Sequence, residues 1–349
     1  MAHLTVAGRR IGAGSPCFVI AEAGINHNGS MEMAHQLIDT AADAGADAVK
    51  FQTFHAELVM TPDAPKAAYQ TANTGSDGSQ MEMVRVCQLS AEQFVELQAH
   101  CTARGVLFLS TPFDHPSIEI LDRMGVPAFK VPSGEVVNRP MLRDIGRRGR
   151  PVILSTGMAT LGEVEAALGE LETAGAPGIA ILHCTSNYPA AVEDVNLRAL
   201  GTLASAFGRP VGYSDHTLGH VVSVAAVALG ACIIEKHITM DRSLPGPDHP
   251  ASLDPAGLRA MIDGIRSVEA ALGDGRKRPA AAEIDTLRVA RRSLFLAHDV
   301  AAGTLIDDTA LVALRPSGGI SPYCIDEVIG RRARRDLRAG DRIGWGDIG

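Results

Sequence analysis

Eight short apolar runs, none with regular polar alternation, recur along the first two-thirds of this 349-residue chain. They are Cys17 to Ala21, Ala46 to Phe51, Val106 to Leu109, Ala128 to Val131, Val152 to Leu154, Ile179 to Leu182, Val211 to Tyr213 and Cys232 to Ile234. Helix-period stretches such as Met31 to Ala44, Ala91 to Ala103 and Leu161 to Ala174 lie between most of them. Strands without polar alternation are buried on both faces, and their repetition with helices makes parallel sheet. Eight such units predict a (β/α)₈ TIM barrel, an α/β fold. A doubly wound sheet is the competitor, but no Gly-rich dinucleotide fingerprint follows the first run.

The pattern changes near residue 272. Leu253 to Leu272 reads as a last helix that Asp254 caps, with Pro255 at its first position. Gly273-Asp274-Gly275-Arg276-Lys277-Arg278-Pro279 then breaks all periodicity. The expected organisation is a barrel over 1–272, a linker over 273–286 and a small, mostly β domain over 287–349. Within the last, Arg292 to Leu296, Leu311 to Leu314 and Ile325 to Ile329 are strand-like. Glu57 to Val86 is a long insertion containing Asn73-Thr74-Gly75-Ser76-Asp77-Gly78. A loop of that length is more often functional or mobile than structural.

A net charge of −8 argues against nucleic acid as a partner. The basic stretch Arg331 to Arg338 is offset by acidic neighbours, including Asp326, Glu327, Asp336 and Asp341, and reads as a solvated face. The six cysteines form no C-x-x-C pair, the usage of reduced thiols rather than a disulfide frame or zinc site. Met1-Ala2-His3-Leu4 lacks the features of a secretory signal, and no apolar stretch reaches membrane-spanning length. A soluble, cytoplasmic protein without membrane contact is expected.

The chemistry lies at the ends of the runs. In order they carry Glu22, then Lys50 and Gln52, Ser110 and Thr111, Lys130 and Ser133, Ser155 and Thr156, His183 and Thr185, Ser214 and His216, and Glu235 and His237. In a barrel these positions converge on the mouth where active sites are built. Polarity at strand ends also follows from contact with water, which accounts for one or two such residues but not for paired lysines, glutamates and histidines. Lys50 and Lys130, with the hydroxyls of Thr111, Ser133, Ser155 and Ser214, suit a small anion bearing phosphate and carboxylate. No G-x-x-x-x-G-K-[ST] loop is present, which excludes that mode of nucleotide binding. His216 and His237 end consecutive strands. They are either hydrogen-bonded core residues or, with water and substrate oxygens, ligands of a divalent cation.

Seven ordered segments then carry a resemblance. They are Ala21-Glu22-Ala23-Gly24-Ile25-Asn26-His27-Asn28-Gly29, Asp47-Ala48-Val49-Lys50-Phe51-Gln52, Phe129-Lys130-Val131-Pro132-Ser133-Gly134-Glu135, Leu154-Ser155-Thr156-Gly157-Met158, His183-Cys184-Thr185-Ser186-Asn187-Tyr188-Pro189, Gly212-Tyr213-Ser214-Asp215-His216-Thr217 and Glu235-Lys236-His237 with Gly246-Pro247-Asp248-His249. Together they resemble the sialic acid synthases, the nonulosonic acid synthases that condense phosphoenolpyruvate with an N-acetylated hexosamine. Leu314-Arg315-Pro316-Ser317-Gly318-Gly319-Ile320 is similar to part of the antifreeze-like (SAF) domain that follows the barrel in that family.

The resemblance implies residue roles. Phosphoenolpyruvate would be held by Lys50, Thr111, Lys130, Ser133, Ser155 and Ser214. Thr185 to Tyr188 differs between family branches, which leaves Ser186 and Asn187 as alternatives for a polar contact there. Gln52, Glu135, Tyr188 and Asp248 would orient the open-chain amino sugar, and Arg315 would reach it from the partner subunit of a domain-swapped homodimer. His216 and His237 would bind Mn²⁺ or Mg²⁺. Glu22 is the candidate for activating water, with Glu135 its rival, and Lys50 and Lys130 stand beside the reacting atoms. The implied sugar is N-acetylmannosamine, its 6-phosphate, or 2,4-diacetamido-2,4,6-trideoxymannose. The alternative is a 3-deoxy-ulosonate synthase using phosphoenolpyruvate and another, phosphorylated sugar.

Overall fold

The structure is a computed structural model that describes residues 3–75 and 78–349. Met1 and Ala2, read above for a signal, and Ser76 and Asp77 of the insertion lie outside the described residues. The chain opens with an antiparallel hairpin, β1 (His3–Val6) and β2 (Arg9–Gly12). The eight runs then form parallel strands: β3 (Phe18–Gly24), β4 (Ala48–Thr53), β5 (Leu107–Pro112), β6 (Phe129–Val131), β7 (Val152–Ser155), β8 (Ile179–Cys184), β9 (Val211–Asp215) and β10 (Ile233–His237). Their order is β5-β4-β3-β10-β9-β8-β7-β6, so the last strand pairs with the first, His237 opposite Glu22. The two end strands, β5 and β6, pack side by side without a ladder between them, leaving a nearly closed barrel.

Strand alternation explains both the core and the mouth. Inside the barrel Ile20, Ala48, Leu109, Ala128, Ile153, Leu182 and Ile233 pack into one apolar layer, floored by Leu4, Val6 and Ile11 of the hairpin. Side chains two residues further along a strand point the same way, one layer nearer the mouth. Those positions are Glu22, Lys50, Thr111, Lys130, Ser155, Cys184 and Glu235. On β9 the apolar layer is occupied by Gly212, where a Cβ would lie 2.5 Å from the Ile233 carbonyl oxygen and 2.7 Å from Leu182. The opposite strand faces pack against the helices in a larger core that includes Val49, Phe51, Val131, Leu154 and Tyr213.

Helix ends follow their caps. Met31–Ala44, Ala91–Ala103 and Leu161–Ala174 run over the spans expected, started by Ser30, Ser90 and Thr160, whose hydroxyls accept from a backbone N–H in the first turn. The last barrel helix is Pro255–Leu272, capped by Asp254. The insertion contains three short helices, Ala56–Val59, Ala68–Thr74 and Gln80–Arg85.

Two compact units divide the chain, Met1–Gly273 and Asp274–Gly349. In the second, β11 (Ser293–Leu296) and β12 (Leu311–Leu314) pair antiparallel over a core of Leu294, Leu296, Ile306, Ile320, Val328 and Ile343. Ile325 to Ile329, expected as a strand, is instead a helical turn, Ile325–Val328, that continues from a 3₁₀ turn at Pro322–Cys324. Pro322 suits a first helical position, Asp326 and Glu327 favour a helix N-terminus, and only Val328 of the turn is buried. Residues 273–286, read as a linker, include a 3₁₀ turn at Ala281–Glu283 and the start of a helix, Ile284–Ala290. Among the described residues no helix is long and apolar enough to cross a membrane.

Candidate active site

Two lysines from different strands meet two glutamates in the polar layer. Lys50 Nζ lies 2.7 Å from Glu22 Oε2 and donates to Thr111 Oγ1 at 2.9 Å. Lys130 Nζ donates to Ser155 Oγ at 2.8 Å. Glu235 stands between them, 3.8 Å from Lys50 and 3.5 Å from Lys130, and accepts from Ser214 Oγ at 3.0 Å. These four charged residues are at most 5% exposed, so each is strongly biased by its neighbours. Burial pushes the Glu22 carboxyl up to about 7 against the pull of Lys50. Burial also lowers Lys130, whereas for Lys50 it is outweighed by Glu22 and Glu235. Glu235 is held below the usual carboxylate range because Lys130 and Lys50 outweigh its burial.

A cavity of about 430 Å³ opens above this cluster. The six residues assigned above to the phosphoenolpyruvate anion line it, Lys50, Thr111, Lys130, Ser133, Ser155 and Ser214, and so does Ser186, whereas its alternative Asn187 does not. Ser133 Oγ accepts from the Gly157 N–H at 2.9 Å, and a Cβ on Gly157 would sit 2.3 Å from Ser186 Oγ, so this wall is built for close approach. Cys184 and Glu235 line the same cavity. Sequence reading gave neither a role, although Glu235 stands two residues before His237 on one strand, the spacing that places both on one face.

His216 and His237 lie together at the rim, ring centroids 5.6 Å apart, with the Tyr188 ring 3.9 Å from His216 and tilted to it by 32°, and edge-on to His237. Beneath them Lys236 and Asp215 point outward from adjacent strands and form a 3.0 Å ion pair with no solvent exposure. Asp215 also accepts from the Thr217 N–H and Ser223 Oγ, which pins the turn carrying His216. His216 Nδ1 donates to the Thr185 carbonyl at 2.7 Å, leaving Nε2 as its lone-pair nitrogen. His237 Nδ1 is buried without a hydrogen-bond partner, and burial with nearby positive charge keeps the ring well below the usual imidazole range, hence neutral. Two adjacent imidazoles, one of them with an orphaned ring nitrogen, fit a divalent ion. Among the described residues no cluster of three or more His, Cys, Asp and Glu side chains is poised around a metal position.

Beyond the histidines a second cavity, about 340 Å³, is lined by Gln52, Glu135, Tyr188 and Asp248, the four barrel residues assigned to the sugar. Gln52 Nε2 donates to Glu22 Oε1 at 3.3 Å, which ties the two cavities together. Burial raises the Asp248 carboxyl to about 6, and its Oδ2 stands 4.0 Å from His237 Nδ1. Glu135 is only half-buried and accepts from Asn138 Nδ2. Tyr69, Gln80 and Phe113 line both cavities. Tyr69 and Gln80 belong to the insertion, which sequence reading flagged as a segment without naming residues. Arg315 is exposed within the C-terminal unit. Of the other histidines near the mouth, His27 accepts from the Gly29 N–H, His183 donates to the Val195 carbonyl and His249 bonds Thr239, all structural contacts.

Fold and site together define an α/β-barrel enzyme with a cavity lined by lysines and hydroxyls at its mouth, beside a pair of imidazoles. The profile of the NeuB family matches residues 37–277, that of the SAF domain matches residues 291–349, and the chain belongs to the NeuB family. It is similar to the N,N'-diacetyllegionaminic acid synthase of Legionella pneumophila, 44% identical over 97% of this chain and 96% of that one. The synthase of the same name from Campylobacter jejuni is also 44% identical, over 93% of this chain and 98% of its own. Among solved structures, the N-acetylneuraminic acid (sialic acid) synthetase of Leptospira borgpetersenii superposes with a TM-score of 0.72 at 35% identity, covering 82% of this chain and 95% of that one.

Proposed function

We propose that this chain condenses phosphoenolpyruvate with the open-chain aldehyde of an N-acetylated hexosamine, releasing phosphate and a nonulosonic acid. The observation that carries the reading is the convergence of the six residues assigned to the anion, with Ser186, on one cavity that opens directly onto the imidazole pair. The relatives named for legionaminic acid synthesis support it. The reading includes a cytoplasmic homodimer whose C-terminal domains are exchanged, so that Arg315 reaches the partner's sugar. The ulosonate-synthase alternative is not favoured by these relatives.

Lys50 and Lys130 neutralise the phosphate and carboxylate of phosphoenolpyruvate, and the hydroxyls of Thr111, Ser133, Ser155 and Ser214 orient them. That placement directs C3 of the enol toward the rim, where Gln52, Tyr188 and Asp248 present the aldehyde carbon C1. A divalent ion on His216 and His237, Mn²⁺ or Mg²⁺, would polarise the aldehyde oxygen as a Lewis acid. As the C3–C1 bond forms, positive charge develops at C2, and the buried carboxylates Glu22 and Glu235 stabilise it. Water adds to C2 while Glu22 takes its proton. The tetrahedral centre then collapses to the C2 ketone with cleavage of the C2–O bond; its hydroxyl proton goes to the departing phosphate, and the proton held by Glu22 passes to the alkoxide left at C1. Glu22 is favoured over Glu135 because it lines the anion cavity, whereas Glu135 lines only the sugar side.

Phosphate release is measured with phosphoenolpyruvate plus each candidate sugar, with and without EDTA. Release that requires both substrates, falls with EDTA and returns with Mn²⁺ or Mg²⁺ is the expected result. No release with any amino sugar sinks the reading.

A further inference from the structure

We infer that the buried ion pair Asp215–Lys236, on the helix side of the barrel wall, positions the two imidazoles on the mouth side and so sets their affinity for a divalent ion. The inference rests on the metal role proposed above for His216 and His237. It adds two positioning residues that lie on the far face of the strands from the site.

Strand register makes the link. Asp215 on β9 lies opposite Lys236 on β10, and each immediately precedes one of the histidines. Successive side chains alternate between strand faces, so Lys236 points outward while Glu235 and His237 point inward. Asp215 Oδ1 accepts from the Thr217 N–H and from Thr217 Oγ1, both at 2.8 Å, and from the Tyr213 hydroxyl at 3.2 Å. Its Oδ2 accepts from Ser223 Oγ of the helix Val221–Ala228 at 2.6 Å and faces Lys236 Nζ at 3.0 Å. Lys236 Nζ also donates to the Thr217 carbonyl. Thr217, the residue after His216, is thus tied to the strand that carries His237.

The rings show what such a clamp is for. His216 is fixed by its own hydrogen bond to the Thr185 carbonyl and by the adjoining Tyr188 ring. His237 has no hydrogen-bond partner at Nδ1, so the placement of β10 decides where its ring lies. Metal ligands must be held within about 0.5 Å of their productive positions, which makes the spacing of the two strands part of the affinity. Stability alone does not call for the pair. Its two charges have no solvent exposure and forgo their hydration, and apolar side chains of similar volume often hold a fold as well or better.

The test combines Asp215→Asn with Lys236→Met, which removes both charges at similar volume and leaves no lone buried charge. Mn²⁺ binding is followed by the electron paramagnetic resonance signal of the free ion. The parent chain should bind Mn²⁺ in a way that His237→Ala abolishes, and the double variant should bind it about 10–100-fold more weakly. Its Tm should not fall, its phosphoenolpyruvate binding by calorimetry in EDTA should match the parent's, and excess Mn²⁺ should restore phosphate release. Ser223→Ala removes one hydrogen bond to Asp215, should weaken Mn²⁺ binding in the same direction, and carries the comparison if the double variant does not fold. Mn²⁺ affinity equal to the parent's in the folded variants overturns the inference, as does a loss matched by an equal loss of phosphoenolpyruvate binding. A parent chain whose Mn²⁺ binding His237→Ala leaves unchanged defeats the metal role itself, a different outcome.

Discussion

Glu22 draws opposite pulls from its surroundings. Burial disfavours its charge, Lys50 at 2.7 Å favours it, and the balance leaves the carboxyl at about 7. A group that accepts a proton from water must be ionised, so turnover should rise with pH through about 7 and level off above it. Glu22→Gln should lower kcat by roughly 10²–10⁴-fold, the range of general base catalysis, and retain phosphoenolpyruvate binding. A kcat–pH profile and a binding isotherm check both statements, and near-normal turnover in the variant removes Glu22 from the mechanism. Most of the site was readable at this scale, since Lys50, Lys130, Ser155 and His216 stand out as polar ends of apolar runs. The partnership of Glu235 with both lysines was not readable, because it joins β10 to β4 and β6, strands distant in the chain.

Elements differ in how far local rules define them. The helix Leu161–Ala174 is bounded by Thr160 with Glu163 at its start and by Gly175 in the left-handed region at its end, signals all present in the sequence. The hairpin β1–β2 has strands of four residues and the insertion has helices of four to seven, too short for a period to register. Yet the hairpin closes the barrel floor with Leu4, Val6 and Ile11. Leu4→Ala should cost about 2–5 kcal/mol, as large-to-small core changes do, and lower Tm. The KM for phosphoenolpyruvate should stay unchanged, because Leu4 packs in the apolar floor below the polar layer. A Tm equal to that of the parent chain would show that the floor is not part of the cooperative core.

The two units, Met1–Gly273 and Asp274–Gly349, each have their own apolar core. For the exchange proposed for Arg315, mixed dimers provide the test. Arg315→Ala and Lys130→Met should each be nearly inactive alone. Refolded together, they should recover phosphate release, because in a mixed dimer one site then has both an intact barrel and the partner's Arg315. No recovery places Arg315 in its own subunit's chemistry or outside it. The order of strands, helices and polar strand ends was legible along the chain because hydrophobic period and capping are local properties. What only the folded molecule decided is adjacency: that β10 returns to β3, that Glu235 lies between Lys50 and Lys130, and that Met83 and Val84 of the insertion come to rest beside Tyr188 and His237. Such contacts depend on barrel closure and packing between residues far apart in sequence, and no local pattern encodes them.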